Sequence, residues 1–247
     1  MADDSVQVTV WCTVYNHKPY LQKTLDGFVN QKTNFRYKVV INDDASTDGS
    51  QEILKEYEDK YPEIFKIHYQ KINLFSRNIK IAPLVLLPEI EGKYLAFCEG
   101  DDYWCDENKL QECYDALETH PKCSMCVHKT RKIYENGNKS NYFFPPTNID
   151  EGIISSNRYV NIIGIQACFH YSSFFVRSDI MLNYYNNLPE YSVKCIVGDY
   201  CIELFSVLYG DIFYINKTMS CYRMTSKGSW SEKYKKSNKE RLINKNA

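Results

Sequence analysis

The chain has 247 residues, a formal net charge of −1, 44% hydrophobic residues and 25% charged residues. That is an ordinary globular composition, long enough for one α/β domain with an appended segment, and the near-neutral balance excludes a whole-chain field for nucleic acid. No run of about 18 apolar residues is present to span a bilayer, and Met1-Ala2-Asp3-Asp4 lacks the basic and apolar regions of a secretory signal, so the ten cysteines are expected as reduced thiols of a cytoplasmic protein.

Val6 to Val14 is apolar and β-branched and reads as a buried strand. Pro19 can open a helix carrying Leu21, Leu25 and Phe28 and ending near Gln31. Phe35 to Ile41 is a second strand that runs into the polar cluster Asn42 to Asp48. The cluster supplies capping groups to a helix from about Gly49 to Tyr61, with Asp43 and Asp44 as candidate N-terminal acids. Ile64 to Tyr69 is a third strand, and Asn78 to Glu91 is expected to be helical despite Pro83 and Pro88. Tyr94 to Cys98 is a fourth strand, ending at Glu99-Gly100-Asp101-Asp102, and Asp106 is expected to cap the helix that follows, to about His120. Ser124 to His128 is a fifth strand.

Beyond residue 128 the pattern loosens. Lys129 to Phe144 reads as a hairpin turning at Glu135 to Asn138, and Cys168 to Val176 as a strand. Asp179 to Asn186 and Asp199 to Leu208 are short helices, and Ile212 to Ile215 and Met219 to Tyr222 look like paired strands. The stretch from Lys227 to Lys245 is basic and nearly free of apolar residues, which fits a solvated tail or a contact with a membrane surface.

Strands alternating with helices over residues 6 to 128 imply a mostly parallel sheet covered on both faces. Ligands in such sheets bind at the carboxyl ends of strands. Three polar clusters fall there: Thr13 to His17, Asn42 to Asp48, and Glu99 to Trp104. Three carboxylates within four residues, Glu99, Asp101 and Asp102, repel one another unless a cation or solvent relieves them. Hard oxygen ligands suit Mg²⁺ or Mn²⁺, which commonly share substrate phosphates. Tyr15 offers a ring for a nucleobase, with Thr13 and Asn16 beside it, and Tyr103 and Trp104 can wall the site.

Val14-Tyr15-Asn16, Val40-Ile41-Asn42-Asp43-Asp44-Ala45-Ser46-Thr47-Asp48, Tyr94 to Trp104, Ile196-Val197-Gly198-Asp199-Tyr200 and Ser220-Cys221-Tyr222-Arg223 together resemble the family-2 inverting glycosyltransferases with the GT-A fold. The resemblance spans about residues 6 to 230, in the family's order. It implies a GT-A-like, Rossmann-like α/β sheet with helices on both faces and a smaller C-terminal acceptor-side segment. Residues 1–128 would form the nucleotide-sugar half, residues 129–230 the acceptor half, and residues 231–247 a basic tail.

The resemblance also implies roles. Thr13, Tyr15, Asn16, Asp43 and Asp44 would hold the nucleobase region, with Arg77 on the donor and Asp102 beside the donor sugar. Asp101, with Glu99, would bind Mn²⁺ or Mg²⁺, and Asp199 would be the general base. Trp104, His170, Arg223 and Lys227 are candidates for diphosphate or acceptor contacts, although a satisfied structural histidine is the stronger reading of His170. Thr225 stands where some relatives place a histidine. The implied reaction is metal-dependent inverting transfer from a nucleotide sugar, a UDP-sugar by family habit, to a glycan or lipid-linked acceptor at the inner face of the membrane, in surface-glycan synthesis. A nucleotidyltransferase and a non-catalytic nucleotide-binding module are the alternatives; the first would need a Gly-rich phosphate loop that Thr13 to Tyr20 lacks.

Overall fold

The computed structural model describes residues 5–163, 169–190 and 198–224. Lys227, Thr225 and the basic tail lie outside the described residues, as does Cys168. Strands β1 (Val6–Val14), β2 (Arg36–Asp43), β3 (Phe65–Tyr69) and β4 (Tyr94–Glu99) are the expected parallel set, in the order β3-β2-β1-β4. Their crossovers carry helices α1 (Lys18–Val29) and α2 (Ser50–Lys60).

The rest of the sheet is mixed. Strand β9 (Phe175–Arg177) inserts antiparallel between β4 and β6 (Cys123–Ile133). Strand β10 (Asp211–Arg223) runs parallel to β6 and antiparallel to β5 (Tyr103–Trp104) and β8 (Gly152–Ile154). Strand β7 (Lys139–Phe144) folds back on β6 across the expected hairpin turn.

Side-chain alternation along the strands divides the core in two. Val8, Val10, Cys12, Ala96 and Cys98 pack against Leu25 and Phe28 of α1, Leu54 of α2, and Leu110 and Leu117 of α3 (Lys109–Thr119). Trp11, Leu95, Phe97 and Val127 face the other way. They meet Tyr159 of α4 (Ser156–Ile163), Met181 of α5 (Ser178–Asn186) and Phe205 of α6 (Gly198–Val207). Period-two alternation on strands buried from both sides gives two apolar faces, each of which needs helical cover.

Several expectations are corrected. The helix expected over Asn78 to Glu91 is two short turns instead, a π turn at Ala82–Leu86 and a 3₁₀ turn at Leu87–Glu89, and a separate 3₁₀ turn at Phe75–Arg77 precedes them. Pro83 and Pro88 each sit at the start of a turn, where a missing N–H costs nothing. Residue 128 lies inside β6, so the fifth strand and the first arm of the hairpin are one strand. The two short strands expected near the end are likewise one, β10, which is kinked by register shifts on either side of Thr218. The strand expected over Cys168 to Val176 is confined to β9, preceded by a 3₁₀ turn at Tyr171–Ser173.

Helix α1 presses on β5 so closely that a Cβ on Gly27 would lie 2.8 Å from the Trp104 carbonyl oxygen. Gly27→Ala is expected to destabilise the fold by about 1–3 kcal/mol through overpacking. Urea unfolding would read this as a lower midpoint at constant m-value.

Candidate active site

The C-terminal ends of β1, β2 and β4 converge on one edge. Thr13 is paired with Asn42 on one side and with Glu99 on the other. The Gly100 amide donates to the Thr13 carbonyl at 3.0 Å, and the Asp44 amide to the Val14 carbonyl at 2.9 Å. A Cβ on Gly100 would lie 2.7 Å from His17 Nδ1 and 2.9 Å from Val14 Cγ2, so the turn after β4 needs glycine for close approach.

Glu99, Asp101 and Asp102 bring one carboxylate oxygen each to within 4.8 Å of one another. Asp101 and Asp102 are buried, whereas Glu99 keeps contact with solvent. The metal-free cluster is strained electrostatically. Loss of water and repulsion from Asp101 push both Glu99 and Asp102 well above the usual carboxylate range; Asp199 adds to the rise at Glu99 and Glu99 to that at Asp102. Asp102 Oδ1 accepts the Arg223 amide at 2.8 Å, while Asp102 Oδ2 is buried without a hydrogen bond among the described residues. Close-set carboxylate oxygens with mutual repulsion to relieve fit a hard divalent cation.

Two structural clamps hold the loop. Thr24, on the inward face of α1, donates its hydroxyl to the Gly100 carbonyl at 3.0 Å and to the Asp102 carbonyl. Arg223, at the end of β10, donates from Nε to the Asp101 carbonyl at 3.1 Å and from a terminal nitrogen to the Glu135 carbonyl at 2.8 Å, with its guanidinium 4.4 Å from the Tyr20 ring centre. Arg223, expected as a diphosphate or acceptor contact, is buried and committed to holding this loop. Trp104 is corrected more fully. Its indole is buried against Phe28, donates to the Ser172 carbonyl at 3.2 Å and lies under the Lys109 ammonium at 4.1 Å, so it belongs to the core.

The nucleobase candidates surround the same edge. Tyr15 is 41% exposed. Asn16 adopts a left-handed conformation (φ 56°), donating its amide to Ser46 Oγ at 2.9 Å and accepting the Thr47 amide on Oδ1 at 2.8 Å. It ties the loop after β1 to the loop after β2. Asp43 accepts from the Ser46 amide at 3.1 Å and from Gln51 Nε2 at 2.6 Å, and its other oxygen is buried without a partner. Asp44 accepts the Leu74 and Phe75 amides at 2.7 and 3.0 Å. That contact anchors the 3₁₀ turn that bears the exposed Arg77, and each Asp44 oxygen keeps a further lone pair. The capping duty expected of Asp43 and Asp44 falls to Asp48, which accepts the Ser50 amide at 3.0 Å at the start of α2.

Asp199 lies in the first turn of α6. Its charge acts on Glu99, Tyr171 and Tyr185, which places the start of α6 near the acidic loop. Burial pushes Asp199 up to about 6. His170 is buried and held neutral, its pKa pulled down to about 3 by loss of water. Its ring packs against Tyr222 and Phe144, with ring centres 4.3 and 5.5 Å away. The site also contains a residue the sequence reading missed. Thr24 shares helical spacing with Leu21, Leu25 and Phe28, and a hydroxyl on an apolar helix face is the signal that marks it.

The family model described as "Glycosyl transferase family 2" matches residues 9–182. An uncharacterised protein of Mycobacterium tuberculosis is 32% identical over 89% of this chain and 59% of its own length. The chain thus spans about 59% of the length of the curated relatives it first matches. The UDP-Glc:alpha-D-GlcNAc-diphosphoundecaprenol beta-1,3-glucosyltransferase WfaP of Escherichia coli is 27% identical over 62% of this chain and 53% of its own. Among solved structures, S. aureus TarS 1-349 in complex with UDP-GlcNAc superposes with a TM-score of 0.70 at 18% identity, covering 92% of this chain and 61% of that one. The mannosyltransferase PcManGT from Pyrobaculum calidifontis, in complex with GDP-Man and Mn²⁺, gives 0.60 at 14% identity, covering 92% and 60%. The shared architecture is the GT-A glycosyltransferase fold.

Proposed function

The chain belongs to glycosyl transferase family 2, and on that premise we propose that it moves a sugar from a nucleotide-sugar donor, a UDP-sugar, to an acceptor hydroxyl of a surface glycan, with inversion. The observation that carries the reading is the convergence of Glu99, Asp101 and Asp102 within 4.8 Å, with the charge of Asp199 acting on Glu99 from α6. TarS bound to UDP-GlcNAc and WfaP, named for a diphosphoundecaprenol acceptor, support the donor and acceptor classes. The cytoplasmic face of the membrane is where such an acceptor would be met, and the basic tail would help to hold the protein there.

In this reading Asp101, with Glu99, holds Mn²⁺ or Mg²⁺, and Asp102 stands beside the donor sugar. When bound, the cation supplies charge neutralisation for the departing diphosphate. Tyr15, Thr13, Asn16, Asp43 and Asp44 cradle the base and ribose, and Arg77, on the turn anchored by Asp44, reaches the donor. Asp199 takes the acceptor proton as the hydroxyl attacks the anomeric carbon. Inversion follows from a single displacement with base and leaving group on opposite sides.

The test is a thermal-shift screen of nucleotide sugars with and without Mn²⁺. A donor present at 100 times its Kd raises stability by about 2.7 kcal/mol. We expect a UDP-sugar to raise Tm only when Mn²⁺ is present. Equal shifts with and without the cation, or none with any nucleotide sugar, would overturn the reading.

A further inference from the structure

We propose that His170 is a positioning residue that fixes the Asp102 carboxylate by donating its Nε2–H to the second carboxylate oxygen; this rests on the reading of Asp102 as the group beside the donor sugar. The starting observation is the asymmetry at Asp102. One oxygen is held by the Arg223 amide at 2.8 Å, and the other, Oδ2, is buried without a hydrogen bond among the described residues. His170 Nε2 stands 3.7 Å from it.

The neighbours of His170 decide which ring nitrogen carries the proton. The Ser172 backbone amide donates to Nδ1 at 3.2 Å. An amide only donates and cannot turn away, so Nδ1 presents its lone pair and the proton of the neutral ring sits on Nε2. Ser172 Oγ, 2.9 Å from Nδ1, donates its hydroxyl to Ser220 Oγ at 2.9 Å, and Ser220 Oγ lies 2.8 Å from Thr130 Oγ1. This buried hydroxyl chain crosses from the 3₁₀ turn to β10 and β6, and it holds Ser172 against the ring. Tyr222 and Phe144 pack against the imidazole and restrict its rotation.

A donor is thus locked in place opposite an orphaned acceptor. The 3.7 Å separation exceeds a hydrogen bond by about 0.7 Å. The last torsion of an aspartate is soft, so a small turn of the carboxylate closes that gap. Catalytic hydrogen bonds that are long without substrate tighten in the substrate complex. With both oxygens held, Asp102 presents a fixed edge to the sugar, and the positioning comes from a residue 68 positions further along the chain.

Two substitutions separate positioning from mere packing. His170→Asn keeps an acceptor for the Ser172 amide and removes the donor facing Asp102. His170→Gln keeps an amide N–H near the Nε2 position and loses the Ser172 contact. We expect His170→Asn to lower kcat by about 10- to 100-fold, the scale of lost outer-shell support, and His170→Gln to remain within about threefold of the unsubstituted protein, with Tm unchanged in both. A packing role would cost the smaller asparagine stability as well as activity; a fall in Tm that parallels the loss of kcat, or equal kcat in the two variants, overturns the proposal.

Tautomer-resolved ¹⁵N NMR of the histidine-labelled full chain reads the contact without turnover. Of the five histidines, His170 is expected as the Nε2–H tautomer, with its Nε2–H resonance shifted by Asp102→Asn. An Nδ1–H tautomer, or a resonance indifferent to Asp102→Asn, overturns the proposal. Absence of any nucleotide-sugar turnover in the unsubstituted protein would instead count against the glycosyl-transfer reading, with the NMR still deciding whether His170 holds Asp102.

Discussion

Asp199→Asn is expected to lower turnover by about 10³-fold while leaving donor affinity within about threefold. The substitution keeps the size of the side chain and its hydrogen bonding in the first turn of α6, and removes only the ability to take a proton. Positioned general bases contribute about 10²–10⁴-fold, and an acceptor hydroxyl is a weak nucleophile without one. Burial raises Asp199 to about 6. The unprotonated base therefore prevails above that pH and is lost as pH falls through it, so kcat/KM should show an acid limb near pH 6 that Asp199→Asn abolishes. Steady-state kinetics alongside calorimetric titration of the donor read both halves. Turnover that survives the substitution, or an acid limb that persists in it, would remove Asp199 from the base role.

The second large effect concerns the cation. Asp101→Asn is expected to weaken Mn²⁺ binding and to cut turnover by at least about 10²-fold, because in the proposed reading the substitution takes away one anionic oxygen ligand and its charge. The opposite sign is expected for the metal-free protein. The three carboxylates lie within 4.8 Å of one another, and repulsion from Asp101 raises both Glu99 and Asp102. Removing one charge relieves that repulsion, so in the presence of a chelator Asp101→Asn should melt at the same temperature as the unsubstituted protein or higher. Mn²⁺ titration followed by electron paramagnetic resonance, with thermal melts in EDTA, separates the two effects. A variant that binds Mn²⁺ as tightly as the parent would dismiss Asp101 as a ligand.

Much of this arrangement was legible in the sequence. The apolar runs at Val6 to Val14 and Tyr94 to Cys98 are long, β-branched or aromatic, and bounded by polar turns, so local pattern and final structure agree. The convergence of Thr13, Asp43, Asp44 and Glu99 on one edge follows from parallel register alone. What the local pattern does not encode is tertiary pairing. β10 is one strand because β6 offers it a continuous parallel neighbour, although exposed Asn216 and Lys217 break its apolar run. Arg223 reads as a free cation near a candidate anion; only the packing of β10 beside the acidic loop shows that its guanidinium is spent on the backbone there. Trp104 follows two acids, so it reads as a wall of the site, yet the turn between β4 and β5 rotates it into the core. The proton on His170 is fixed by the amide of Ser172, two residues on, in a 3₁₀ turn that periodicity does not reveal.

The hydrogen bond from the Arg223 amide to Asp102 joins residues 121 positions apart. Closing so long a loop carries an entropy cost that local structure cannot offset in advance, and non-local pairings form slowly. During vectorial synthesis the parallel strands β1 to β4 can pair while residue 223 is still inside the ribosome. The acidic loop then waits, with its carboxylates unclamped, until β10 emerges and docks beside β6. Activity should therefore lag behind the burial of the first core during refolding, the catalytic edge being among the last parts of the molecule to mature.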